Sequence, residues 1–137
     1  MTKRDRNYLI VFLAVILTFI GYIFMKKSGV KAYQLIQKHS YTQDSLPKGK
    51  YSGAFEAYNI NFAKVKFILR NGKIDSFEIP KVIHAPWIDV RTSVIDSIKS
   101  KNTLEFDAVT GASGSSLYIK AAIHNAIEKS QKDTLSE

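Results

Sequence analysis

Eighteen consecutive residues without a charge, Tyr8 to Met25 (YLIVFLAVILTFIGYIFM), constrain this chain more than any other stretch. Lys3, Arg4 and Arg6 bracket them on one side, Lys26 and Lys27 on the other. As a helix the run would extend about 27 Å, close to the roughly 30 Å hydrocarbon core of a bilayer, and the flanking lysines can snorkel to cover the difference. Tyr8 and Tyr22 fall near its ends, where amphipathic rings prefer the interface. The run is therefore predicted to be a single N-terminal transmembrane helix, residues 1–27, holding the protein at the cell membrane. A cleaved signal peptide is the competing reading. It calls for a shorter apolar region and a small-residue cleavage site, for which Val30 and Ala32 offer a weak pair, whereas this run is long and is followed by lysines.

With 137 residues the chain has room for one modest domain beside that span. Its formal charge of +8 looks at first like a nucleic-acid footprint, but 7 basic and 2 acidic residues precede residue 45, against 13 and 10 after it. The excess thus sits mostly around the span, and no nucleic-acid partner is expected. The absence of cysteine excludes thiolate metal sites, disulfides and cysteine nucleophiles. His39, His84 and His124 lie too far apart for metal-ligand spacing, so no metal is expected either.

Residues 28–47 begin with helical patterning and continue into the polar run HSYTQDSLPKGK, which reads as a stalk and linker. From residue 48 the pattern becomes that of a small α+β domain, 48–137. KYSGAFEAY and INFAKVKFILR alternate near a two-residue period, Asn71-Gly72 supplies the positive φ angles of a tight hairpin, and KIDSFEIP follows, ended by Pro80. A helix is expected over Ile88 to Lys101, with Val90, Val94, Ile95 and Ile98 as its stripe and Asp89 as cap. Leu104 to Phe106 could add a short strand, and a last helix should run from about Ser115 to Gln131. The expected fold is α+β, a small antiparallel-rich sheet with two packed helices behind one transmembrane helix.

The stretch before the last helix, DAVTGASGSS from Asp107 to Ser116, joins two glycines, four hydroxyl residues and an acid, and feeds directly into a helix N-terminus. Such an end suits an anion, because its first N–H groups are unsatisfied, the dipole is positive, and Gly111 and Gly114 permit close backbone approach. A plain capping loop explains the same composition. A nucleotide P-loop is excluded, since the G-x-x-x-x-G-K-[ST] spacing is absent.

Asp107-Ala108-Val109-Thr110-Gly111-Ala112-Ser113 resembles the D-x-x-[ST]-G-A-[ST] motif of FMN-binding domains, including the flavin-carrying subunits of sodium-pumping NADH:quinone reductases and ferredoxin:NAD oxidoreductase complexes. KGKYSGAF, VKFILRNGKIDSFEI and SSLYIKAAIHNAI are similar to further patterns of that family in the same order. The resemblance implies FMN as cofactor, attached by a flavin transferase through its phosphate to the Ser113 hydroxyl. Asp107, Thr110, Gly111, Ala112, Gly114, Ser115 and Ser116 would complete the site. It also implies an extracytoplasmic domain and a redox partner in or beside the membrane, the flavin carrying the chemistry so that no acid–base pair is needed. This chain differs in having serine where threonine is more usual, and in having Val82-Ile83-His84-Ala85-Pro86-Trp87 where larger members carry a glycine-rich segment, so ring contacts are not carried over.

The leading expectation is thus a membrane-anchored flavoprotein electron carrier, a redox component more than a stand-alone enzyme. Noncovalent FMN binding, or a membrane-tethered binding or structural module without flavin, are the alternatives. Trp87 is expected to pack in the core beside Pro86, with stacking on a flavin as its other possible role. His124 is expected at the surface or hydrogen-bonded, and Lys64, Lys66 and Lys73 on a solvated sheet face, where they could steer an acidic partner.

Overall fold

The protein is α+β, seen here in a computed structural model that describes residues 2–38 and 40–135, so that His39 lies outside the described residues. Helix α1 (Lys3–Lys38) is followed by a 3-10 turn at Gln43–Ser45 and by strands β1 (Gly49–Ala57), β2 (Ile60–Arg70) and β3 (Lys73–Val82). Helices α2 (Val90–Lys101) and α3 (Ser113–Leu135) complete the chain. The strands form an antiparallel meander in the order β1-β2-β3. One face of the sheet presents Tyr51, Phe55, Val65, Phe67, Leu69, Phe77 and Ile79, all buried. Against it lie α3, over β1 and β2, and α2, over β3, with Val90, Val94 and Ile98 inward, giving the two-layer solution that a one-sided apolar sheet requires. Lys64, Lys66 and Lys73 are exposed, as the alternation predicted.

Close approach of α3 to β1 depends on small residues. A Cβ placed on Gly53 would lie 2.4 Å from Ala126 N and 2.5 Å from Ala122 O, so the helix backbone rests directly on the strand. Ala121, Ala122 and Ala126 are buried on the facing side, and Asn125 Nδ2 donates to Ala54 O of the edge strand at 2.6 Å.

Two local expectations are corrected. β3 runs through Pro80 to Val82, because β3 is an edge strand and its register with β2 slips between Lys64 and Lys66, where a missing N–H costs no ladder bond. Leu104 and Phe106 are buried but not in a strand; Gln43 holds their segment, its Oε1 accepting from Leu104 N at 2.7 Å while its Nε2 donates to Gly72 O and Asn102 O. The helical patterning after residue 27 belongs to α1, which continues unbroken to Lys38 and packs its fully buried Ser28 and Ala32 on the domain.

The apolar half of α1, by contrast, is bare: its most apolar 18-residue window has none of its residues buried, and the helix is long and apolar enough to cross a membrane. Where this stretch ends, Phe24 stacks on Phe62 and packs at a tilt against Tyr58, and Tyr118 Oη donates to Met25 O at 3.4 Å. His124, further along α3, meets Tyr41 beyond the end of α1. α3 therefore starts at the end of the domain nearest the apolar stretch and runs away from it. The β1–β2 turn and the end of β3 share that near end, since Ile83 N donates to Phe62 O.

Candidate functional site

The junction between Asp107 and Ser116 is built from a turn and four hydroxyl residues with separate positions. Ala112 N donates to Val109 O at 2.9 Å, closing a β-turn whose third residue is Gly111, φ +77°. A type II turn reserves this position for glycine, and a Cβ there would also lie 3.1 Å from Ile88 Cδ1. Ala112 is buried and precedes the helix; its carbonyl accepts from both Ser116 N and Ser116 Oγ at 2.9 Å. Ser116 Oγ in turn accepts from Val109 N at 3.0 Å, and the residue is 1% exposed. Ser115 Oγ reaches across to Ile83, donating to its carbonyl at 2.7 Å. Both serines thus use their hydroxyls to hold the loop and the segment after β3 in place.

Thr110, Gly111, Ser113 and Gly114 remain on the outside. α3 begins at Ser113, two residues earlier than expected, because the Ser116 N to Ala112 O bond extends the helical ladder back through Gly114. Ser113 is consequently in the first helical turn. At α2, Asp89 Oδ1 accepts from Thr92 N at 3.0 Å, so that end is closed by a side chain, and the bond holds the Asp89 carboxyl below the usual carboxylate range. At α3 the position before the helix is alanine, which has no acceptor to offer. The N–H groups of Ser113, Gly114 and Ser115 therefore have no protein acceptor among the described residues, and no atom lies within 4 Å of where a Cβ on Gly114 would stand. The result is an exposed hydroxyl beside open N–H groups at the positive end of a 23-residue helix.

Asp107 stands at the other end of the junction, exposed, 3.3 Å from Lys101 Nζ in a surface ion pair. It borders an open cleft of about 620 Å³ also lined by Tyr41, Phe106, Lys120 and His124. Lys120 Nζ lies 5.2 Å from the Phe106 ring centre, and burial pushes the Tyr41 hydroxyl pKa well above its ordinary value. His124 is half-buried against Tyr41, ring centroids 4.9 Å apart. His84 is exposed, its Nδ1 2.7 Å from Ala85 O. Among the described residues no group of three histidines, aspartates or glutamates is placed to hold a metal.

Trp87 overturns its expectation. It is 82% exposed and takes no part in the core, because the segment 83–89 is tied down at Ile83 and Ile88 and carries the residues between them outward. Both ties touch the junction, Ile83 through Ser115 and Ile88 through Gly111, so the segment lies alongside the α3 N-terminus. The carbonyl of Ile83 carries no signal in the sequence, and Ile88 only the weak one of an apolar residue between a proline and a helix cap.

The chain matches no family model, no curated protein and no solved structure.

Proposed function

We propose that the protein is a membrane-anchored FMN carrier for electron transfer, with the cofactor phosphate esterified to Ser113. The observation that carries this reading is the Ser113 hydroxyl, exposed in the first turn of α3 beside N–H groups that no cap occupies. The transferase would take the flavin phosphoryl group from an activated flavin dinucleotide, breaking its pyrophosphate bond with the nucleoside monophosphate as leaving group, while the Ser113 hydroxyl gives up its proton and Oγ becomes the bridging oxygen. The N–H groups of Ser113, Gly114 and Ser115 are the donors suited to the remaining phosphate charge, which the helix dipole stabilises by about 0.3–1 kcal/mol. Gly114 leaves the approach open, and Gly111 shapes the turn. Bound FMN would supply one- and two-electron transfer, and the protein would supply position and electrostatics. The open cleft beside Asp107, lined by Tyr41, Phe106 and Lys120, is the surface we assign to the flat flavin ring.

The apolar run of α1 fits an anchor that stays attached. Cleavage at the Val30 and Ala32 pair would cut inside α1 and strip the buried Ser28 from its contact with the domain. The domain is assigned to the extracytoplasmic side, with a flavin transferase as its maturation partner and a redox protein in or beside the membrane as its electron partner. Co-expression of the full chain with a flavin transferase should give a band that fluoresces after denaturing electrophoresis, with the flavin mass on the peptide containing Ser113. Ser113→Ala should lose it and Ser113→Thr keep it. Flavin mapped to Thr110 or Ser115, or a fluorescent Ser113→Ala band, would refute the assignment, and flavin lost on denaturation would point to noncovalent binding.

A further inference from the structure

Outside α1, the exposed large apolar side chains among the described residues are Tyr58, Ile60 and Trp87, and all three sit at the end of the domain from which the apolar stretch of α1 departs. Tyr58 and Asn59 form the β1–β2 turn with φ of +54° and +60°, a conformation that is costly for tyrosine. What holds Tyr58 there is α1: the Phe24 ring packs on one side at 4.8 Å between centroids, and Lys31 Nζ stands 4.0 Å from its ring centre. Trp87 belongs to the segment that leaves β3 at Ile83, whose N–H donates to Phe62 O, and Phe62 itself stacks on Phe24. Tyr58, held on Phe24, lies at the level where the span ends, since Phe24 and Met25 are its last apolar residues and Lys26 and Lys27 follow; Ile60 leaves the same turn, and Trp87 lies four residues beyond the Ile83 N to Phe62 O bond.

The geometry points to a lipid-seated domain: Tyr58, Ile60 and Trp87 rest in the interfacial layer of the same bilayer that α1 crosses, with Lys26, Lys27 and Lys31 facing lipid phosphates. This rests on reading α1 as a span and is independent of whether flavin is bound. Two aromatic rings with polar tips and one aliphatic chain are the side chains that prefer this layer, and lysines beside them match anionic headgroups. The opposite end of the domain, with the Asn71-Gly72 turn, Gln43 and Asn102, exposes no large apolar side chain among the described residues. Seating also takes out of water the Trp87 ring, which the domain leaves bare.

Trp87 is the only tryptophan and the chain has no cysteine, so both ends can be probed in the full-length protein. The chain is reconstituted into vesicles of phosphatidylcholine and phosphatidylglycerol, with and without lipids brominated near the headgroup. Trp87 emission should lose half or more of its intensity in the brominated vesicles and resist iodide added to the buffer. A bimane label on Ile60→Cys should be quenched likewise, and one on Lys73→Cys, at the far turn, should not. Emission indifferent to bromine and quenched by iodide, or equal quenching of both labels, would overturn the proposal. Flotation of the vesicles after an alkaline wash separates the two levels. A chain that fails to float refutes the span and the seating together, whereas a floating chain with water-exposed Trp87 refutes the seating alone. Any bound flavin cancels, because each comparison is made on one preparation in two lipids.

Discussion

Replacing Gly53 by alanine tests whether the α3 backbone really rests on β1. The added methyl would stand 2.4 Å from Ala126 N, 2.5 Å from Ala122 O and 2.7 Å from Ala126 Cα, and all three are backbone atoms that no rotamer change can move. Restoring an ordinary contact requires α3 to withdraw from the strand by about 1 Å, and a gap of that size forfeits roughly a quarter to a half of each dispersion contact across the interface. Overpacking of this kind typically costs about 1–3 kcal/mol. Because Tyr118, Ile119, Ala122, Ile123 and Ala126 all pack through the same face, the upper end of that range is expected. At about 4–8 °C per kcal/mol for a domain of this size, Tm should fall by about 10–20 °C. Near-UV circular dichroism of the full chain in nonionic detergent would follow the melt. Gly114→Ala is the control, since its methyl meets nothing within 4 Å and alanine favours a helix, so Tm should hold or rise slightly. If Gly53→Ala melts with the parent, the close approach of α3 to β1 is wrong, and with it the placement of the site at the end of that helix.

Gly111→Val should cost about 1–3 kcal/mol from the positive φ alone, besides its collision with Ile88, and should lower flavin loading in parallel; unchanged melting and loading would refute the turn geometry. Gln43→Ala removes the partners of Leu104 N, Gly72 O and Asn102 O, so hydrogen exchange at residues 103–107 should speed up, with a loss of about 1–2 kcal/mol. Deleting residues 1–27 should leave a folded domain. Deleting 1–38 also uncovers the α3 face that Ala32, Leu35 and Ile36 protect and should give aggregated protein, at roughly 1.5–3 kcal/mol for each large side chain lost. Burial raises the pKa of Tyr41, Tyr51 and Tyr118. Their neutral forms are favoured by folding, so stability is level below pH 10, the ordinary tyrosine value, and declines above it as the unfolded chain ionises first; comparing melts at pH 9 and 11 shows the slope.

The parts of the fold that were legible are those carried by local chemistry. Asn71-Gly72 announced its hairpin because asparagine and glycine both tolerate the φ of 52° and 73° found there. Asp89 announced its cap, and the stripe Val90, Val94, Ile98 its buried face. The misread parts depend on partners distant in sequence. Pro80 ends most strands, and only the edge position of β3, with the bulge opposite it, lets the strand pass through. The Tyr58-Asn59 turn was not misread, since the strand patterns break there, but its positive φ angles carry no local signal and are supported from α1 by Phe24 and Lys31. Trp87 reads as a core residue beside Pro86, but its exposure is decided by Ile83 and Ile88, whose ties to Ser115 and Gly111 carry the residues between them outward.

At the junction itself the sequence could count hydroxyls but could not divide their work, because Thr110, Ser113, Ser115 and Ser116 offer the same group within seven residues. The division comes from what lies beside each hydroxyl. Ser116 falls one turn after the buried Ala112, and its hydroxyl is enclosed between Val109 N and Ala112 O; Ser113, only about 60° round the helix from it, is the first residue of α3, has no such loop over it and is exposed. The two serines should therefore fail in opposite ways. Ser116→Ala leaves Val109 N without an acceptor and should cost about 1–3 kcal/mol, yet a chain that still folds should carry flavin on Ser113. Ser113→Ala removes no hydrogen bond between described residues and should melt with the parent, yet carry none. Melting curves and in-gel fluorescence on the same two variants measure both properties at once. A Ser116→Ala protein that melts normally but has lost its flavin, or a Ser113→Ala protein that unfolds early, would reverse the roles and move the attachment point inward.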